Sequence, residues 1–476
     1  MIGFTGIRDA EGLPSELRST IEQLVTVGAA NQRRNLRLSQ YYDGEIVVED
    51  RGKRVSAKKL RNDQVCYWPE AVVDKLAERI RLESFVTKDG PDETLDAIMD
   101  ASNVINEYAS FLPSKLVHGP MFCAVNNTAG GVRVRMHNAL DAAALPDPER
   151  RPGVVGAGMC VARVERTRWS SGPVPTQVNL YTPGMVTVIR RLDQSHWRAE
   201  AVYVPERDPM FFAFVHKRSG ERPFGKSRIT RAIRCYTEDA VRVLWNHEVA
   251  ASVYSQPMRA LLGLSDAQYD ALMARGKDAV YNDRMLLAGI NDADGTPTLT
   301  QLTAASPEPY VASLRMLASL VSGASGVPLA SLGITTDNPS SADAIQAARE
   351  DICLVAEDDI AADKWTLRRV AMCALAVNDG VSTEQLTEHQ RSVSAHFANP
   401  TIPSLNARAS FVQTVSGIDD GFGKSSVGRE MLGFDAATIA RLESEERRTA
   451  ARNVMLMDRS RPMPVGVTNE GDSSPS

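Results

Sequence analysis

Cysteine and histidine are scarce and scattered in this chain. The six cysteines, at positions 66, 123, 160, 235, 353 and 373, form no CxxC pair and no Cys/His spacing suited to zinc. The seven histidines do not cluster with carboxylates at metal spacing, and neither HExxH nor GxSxG occurs. No metal, no cofactor and no catalytic residue is therefore assigned, the chain is not read as an enzyme, and a reducing compartment fits. Long apolar runs are missing too: VAMCALAV at 370–377 is among the longest, far below the ~20 residues that span a bilayer. The start, MIGFTGIRDAEGLPSELRST, lacks the basic-then-apolar pattern of a secretory signal. A soluble chain used in a cytoplasm, with no membrane partner, is expected. Positive charge is not in excess either. With 54 basic against 59 acidic side chains the net charge is −5, so any nucleic-acid role must be local or non-adhesive.

What is present is the composition of an ordinary soluble protein, 43% hydrophobic and 24% charged over 476 residues, long enough for roughly two to four structural units. The apolar spacing predicts helices over 15–41, from Trp68-Pro69 onward, and over about 91–117, then an apolar stretch Met121 to Val125. From there to about 216 the texture changes to short strands: 132–136, 159–169, 178–182, 185–192 and 197–204, punctuated by Gly, Pro and Ser. These read as one antiparallel meander, with 139–158 as a flexible excursion. A long helix is predicted at about 227–255. Ile229, Ala232, Ile233, Tyr236, Ala240, Val243, Leu244 and His247 fall in an arc about 120° wide, with Arg228, Arg231 and Arg242 outside it. The stretch 258–305 reads as a separate small α/β lobe between that helix and another at 307–322. A breaker-containing loop, VPLASLGITTDNPSS, then feeds a long helix over 341–377, followed by a strand near SVSAHF and helices at about 404–416, 424–432 and 435–456. The end, RPMPVGVTNEGDSSPS, has the composition of a disordered tail. No internal repeat is present.

The sharpest motif is GERPFGKS at 220–227, a formal match to the P-loop pattern GxxxxGK[ST]. A working P-loop follows a buried parallel strand and wraps phosphates at the start of a helix. Here the preceding run MFFAFV ends an antiparallel-looking meander, so a plain loop and helix start is the favoured reading and a P-loop NTPase the alternative. A third possibility is a scaffold that forms no channel. His247 and His118 read as a satisfied core histidine and a helix-end cap. Along the helix after 341, Asp343, Glu350, Glu357, Asp358, Asp359 and Asp363 read as a solvated acidic face, or as one that repels phosphate.

In order along the chain, Tyr41-Tyr42-Asp43-Gly44, WPEAVVDKLAERIRLESF at 68–85, LYTPG at 180–184, PFGKSRIT at 223–230 and NPSSADAIQAARE at 338–350 after ASGVP together resemble the portal proteins of tailed bacteriophages. The likeness is greatest to those of long-tailed actinobacterial phages. It implies an α+β portal fold: a wing over 1–226, a stem helix over 227–256, a small α/β clip over 257–305 and a second stem helix over 306–325. A tunnel loop over 326–340, a long return helix over 341–380, a C-terminal wing segment and mainly helical crown over 381–460, and a disordered tail over 461–476 follow. It further implies a homo-oligomeric ring, a dodecamer, at one capsid vertex of the virion. That ring is assembled in the host cytoplasm and passes double-stranded DNA without sequence-specific binding. The implied partners are the terminase large subunit, a head-tail adaptor, and the major capsid and scaffolding proteins. By position, Leu332, Thr335, Thr336, Asp337 and Asn338 would face the channel, and Lys226, Arg228, Arg231 and Arg242 would be stem-helix charges, with Lys226 and Arg228 on the surface or between subunits.

Overall fold

The structure, a computed structural model, describes residues 6–48, 64–88, 92–149, 151, 153–166, 173–193, 196–254, 259–274, 285–289, 298–301, 306–334, 342–400, 405–434 and 436–459. The chain divides into two compact units, residues 1–400 and 401–476.

In the first unit, α1 (Ser15–Tyr42) buries Leu17, Ile21 and Leu24, then Leu38 and Tyr41, at the spacing that turns one helix face inward. Its chain exits through Gly44 at φ 70°, a left-handed conformation that glycine adopts without strain. α2 (Trp68–Ala77) carries proline in its first turn. β1 (Leu82–Val86) follows. The single helix expected over 91–117 is two, α3 (Glu93–Ala101) and α4 (Val104–His118). Asn103 at φ 50° breaks them apart, and the Asp92 carboxylate caps the first by accepting from the N–H groups of Thr94 and Leu95.

Two antiparallel sheets make the centre. β2 (Pro120–Thr128) lies between β3 (Gly131–His137) and β9 (Phe211–Val215). The other sheet runs in order β4 (Ala142–Pro146), β5 (Val155–Glu165), β6 (Val174–Thr182), β7 (Met185–Arg191) and β8 (Trp197–Tyr203). Two expectations are corrected. VRVRM belongs to the three-stranded sheet rather than to the meander, and the supposed excursion at 139–158 holds β4, paired with β5. Its Ala-rich run is buried at Ala142, Ala143 and Ala144, where small side chains let α1 approach. Alternation along β6 sends Val178 and Leu180 to one face, against Ile7, Leu17, Ile21 and Leu24, and Tyr181 to the other, where its ring stacks on Phe211 at 5.4 Å.

α5 (Arg231–Tyr254) begins four residues later than the predicted start at 227. The lobe after it contains β10 (Arg259–Leu264), α6 (Asp266–Ala274), β11 (Met285–Gly289) and β12 (Thr298–Gln301). β10 pairs in parallel with β11 and antiparallel with β12. α7 (Glu308–Ser325) packs along α5. The His247 and Tyr310 rings meet at one end, 5.7 Å apart, and Arg228, just before α5, reaches Ser325 at the other, so the two helices run antiparallel. α8 (Ala342–Asp379) crosses the β3-β2-β9 sheet. Its Leu367, Val370 and Leu375 are fully buried, each stabilising by about 1.5–3 kcal/mol. After α9 (Glu388–Arg391), β13 (Ser394–Phe397) pairs with β1.

The second unit contains α10 (Leu405–Ser416), α11 (Ser426–Leu432) and α12 (Ala436–Arg459). The Arg429 guanidinium donates to the Glu446 carboxylate, tying α11 to α12. The expected tail at 461–476 lies outside the described residues.

Candidate functional site

The root of the two long helices is where the chemistry-bearing residues gather. β9 ends at Val215, and residues 216–230 turn the chain toward α5. The backbone of that turn is closed on itself: Ser219 and Arg222 exchange both hydrogen bonds, Arg222 O accepts from Gly225 N, and His216 O accepts from Lys226 N at 3.1 Å. Gly225 sits at φ 66°, and a Cβ there would overlap the His216 carbonyl, so only glycine closes the turn without strain.

GERPFGKS is therefore a turn whose Gly225 and Lys226 N–H groups are already bonded inward, not a cradle of free donors. The strand before it pairs antiparallel with β2, and the helix after it starts only at Arg231. Both features contradict the context that a P-loop requires.

Four of the expected charges lie here or just beyond. Lys226 is exposed and Arg231 is exposed in the first turn of α5. Arg242 pairs with Glu238 at 3.2 Å and with Asp239. Arg228, expected on the surface or between subunits, is instead buried at 4% exposure. Its Nε donates to Val72 O at 2.7 Å and its Nη2 to Ser325 O at 2.8 Å, while its backbone N–H donates to Leu116 O. One guanidinium thus joins the turn to α2 and to the last turn of α7, with α4 held by the main chain. The Ser325 carbonyl, at the end of its helix, has no intrahelical partner, and the planar fork of arginine can donate to it and to Val72 O at once. Burial pulls its pKa down to about 10, with Asp359 opposing, so it stays charged at neutral pH.

Next to it is a buried ionic cluster. Lys115 of α4, with no exposed surface, donates to Asp363 Oδ2 at 2.6 Å and lies 3.5 Å from Asp359 Oδ1. Tyr108 OH donates to Asp363, and His216 Nδ1 faces Asp359 Oδ2 at 2.8 Å. Burial disfavours the Lys115 ammonium, but Asp363 and Asp359 outweigh it and hold the pKa above the ordinary lysine value. Burial also pushes Asp359 upward, yet Lys115 and His216 prevail and hold it below the usual carboxylate range. Asp363 is raised, by burial first and then by Asp359, although it has the shorter contact to Lys115. His216 is lowered by burial, against the pull of Asp359. The arrangement ties α4, α8 and the turn together.

The acidic face expected on the long helix is accordingly corrected. Glu350, Glu357 and Asp358 are exposed, but Asp359 and Asp363 are core residues; the placement of the Asp343 side chain is not described. Sequence reasoning missed this cluster, and a signal existed. Ile352, Ala356, Asp359, Asp363, Leu367 and Val370 recur at helical spacing, so the two acids interrupt an apolar stripe.

The loop after α7 is described as far as residue 334. Leu332, expected to face a channel, is 2% exposed, and its carbonyl accepts the Trp68 indole N–H at 3.2 Å. That side chain belongs to the core. Thr335, Thr336, Asp337 and Asn338 lie outside the described residues. His118 ends α4 as expected, with its ring nitrogens against Ser39 and Ser114 hydroxyls at 3.0 and 3.1 Å, and His247 is half-buried against Tyr310. Among the described residues no group of three His, Cys, Asp or Glu side chains is arranged to hold a metal ion, and no helix is long and apolar enough to cross a membrane.

No protein-family model matches the chain. A curated protein named portal protein from Mycobacterium phage L5 is 24% identical over 352 residues, covering 73% of this chain and 70% of its own. A second of the same name, from Mycobacterium phage D29, is 22% identical over 442 residues, 90% of this chain and 88% of its own. The chain is similar to phage portal proteins. Against the second of these portal proteins the similarity runs along 90% of the chain. Among solved structures, a chain from the neck of a native GTA particle computed with C12 symmetry superposes with a TM-score of 0.42 at 12% identity. That superposition covers 77% of this chain and 89% of the other, and at such a score it carries no argument about the assembly of this protein.

Proposed function

We propose that this chain is a structural portal subunit, one of identical copies that close into a ring at a capsid vertex and leave a central channel for double-stranded DNA. The observation that carries this is the similarity to a portal protein along 90% of the chain. The fold is compatible with it. Two long antiparallel helices, α5 and α7, serve as the stem, and the α/β lobe between them as the clip. The body built on the two central sheets is the wing, α8 the return helix, and the C-terminal helices the crown. On this reading the ring is a dodecamer that docks the terminase large subunit during packaging and a head-tail adaptor afterwards. It sits among capsid and scaffolding proteins, and the segment 335–338, outside the described residues, is assigned to the channel.

A head-to-tail interface closes into a ring when its rotation does, and the exposed apolar residues Met316 and Leu320, one turn apart on α7, offer such an interface a starting face. DNA movement would draw its energy from the terminase, so the chain needs no nucleotide site. Negative-stain electron microscopy beside size-exclusion chromatography tests the proposal: rings with a central hole are expected. Only compact monomers at assembly concentrations, or ATP binding abolished by Lys226→Ala, would overturn it.

A further inference from the structure

In a chain of net charge −5, the ten residues 217–226 carry Lys217, Arg218, Arg222 and Lys226 against a single acid, Glu221. All five side chains are exposed. None of the four cations has a carboxylate within ion-pairing distance among the described residues; Arg218 Nε donates to the Pro223 carbonyl at 3.0 Å. They stand close to further positive charge. Burial first, then Arg228 and Lys226, lower the Lys217 pKa against the weaker pull of Asp359 and Asp358. Burial first, then Arg222, lowers that of Arg34 on α1. Unanswered positive charge held at close quarters favours a polyanionic partner.

The turn is pre-ordered by the backbone bonds already described and by His216 N–H to Gly119 O at 2.9 Å, so little conformational entropy is lost when a partner binds. Its chemistry also selects among partners. Among the described residues no large apolar side chain is exposed between residues 204 and 251, whereas the centre of a stable protein–protein interface is apolar and aromatic. The one aromatic ring of the turn, Phe224, is half-buried against Phe122 at 6.2 Å, so no platform is offered for stacking single-stranded bases. What remains is contact by charge alone, the mode in which proteins meet the sugar-phosphate backbone.

We propose that the turn 217–226 is a contact surface for the phosphates of duplex DNA, engaged without sequence preference. It rests on the residues of a single chain and extends the portal reading by placing a DNA contact at the root of the long helices, outside the segment 326–340.

The test uses the full chain and fluorescein-labelled duplexes of two unrelated sequences, followed by fluorescence anisotropy between about 50 and 200 mM KCl. Binding is expected to be equal for the two sequences and to weaken steeply with salt. The double variant Arg222→Glu/Lys226→Glu should lose at least about tenfold in affinity, with the slope of log K against log salt shallower by about two. Arg222→Lys/Lys226→Arg should retain binding, and unchanged thermal melts establish that both variants fold. Absence of salt-dependent binding by the unaltered chain, or equal binding by the charge-reversed variant, overturns the proposal. So does displacement of duplex by polyglutamate at equal charge, which would assign the surface to an acidic protein face. Ring formation is read separately by electron microscopy, so loss of this contact and loss of the ring are distinguishable.

Discussion

Lys115 is wholly enclosed between Asp359 and Asp363, and a buried ammonium persists only where its charge is answered. Replacing it removes the answer for two carboxylates at once. Lys115→Met is expected to cost about 3–5 kcal/mol in urea unfolding, whereas Lys115→Met combined with Asp359→Asn and Asp363→Asn should recover much of that loss, because no unpaired charge is then left inside. If the single variant unfolds at the same urea concentration as the parent, the cluster is not the ionic joint described. None of this was legible residue by residue. Lysine and aspartate have the same letters on a surface as in a core, and a pair separated by 248 positions meets only when the fold brings it together. Arg228 was misplaced for the same reason: its partners, Val72 and Ser325, are backbone carbonyls, and a carbonyl has no signature in a sequence.

Helices and strands were largely readable because their periods are written in apolar spacing. α1, α2, α7 and α8 fall within a few residues of the predicted bounds. The errors have local causes. A helix over 91–117 ignored a left-handed Asn103, and β4 was taken for loop because its buried face is made of alanines rather than β-branched residues. Which sheet a strand joins was harder, since the partners of β3 and β5 are set by pairing and not by their own residues. Gly158 belongs to this scale. A Cβ there would overlap the Phe211 ring, which stacks on Phe122 at 5.3 Å and on Tyr181, so glycine sets the distance between the two sheets. Gly158→Val should cost about 1–3 kcal/mol of stability, as an overpacked core does, and so lower the melting temperature; an unchanged melt would mean that the layers are not in contact there.

For the molecule as a whole, buried neutral histidine makes stability depend on pH. Burial, then Arg34, lowers His118 from its ordinary value of 6.5 to about 4. The unfolded chain therefore binds a proton at His118 between those values while the folded chain does not. Stability from this site is full above pH 6.5 and is lost as pH falls toward 4, by roughly 3 kcal/mol. The melting temperature should drop across that window, and the drop should be smaller in His118→Gln. An identical pH profile for the two proteins would remove His118 as the cause. His216 shifts in the same direction, so part of the slope should survive the substitution.

Composition and spacing alone determined that this is a mixed α and β chain with two long helices around a small lobe, because hydrophobic period and breaker residues act over a few neighbouring positions. The ordered short motifs by themselves resemble those of the portal family. Only the tertiary structure decided that GERPFGKS is a closed turn after an antiparallel strand, that Arg228 and Leu332 are interior, and that two acids of an apparently solvated stripe, Asp359 and Asp363, are buried partners for Lys115. These are questions of what lies opposite a residue, and burial and pairing across distant segments are set by packing rather than by neighbours in sequence.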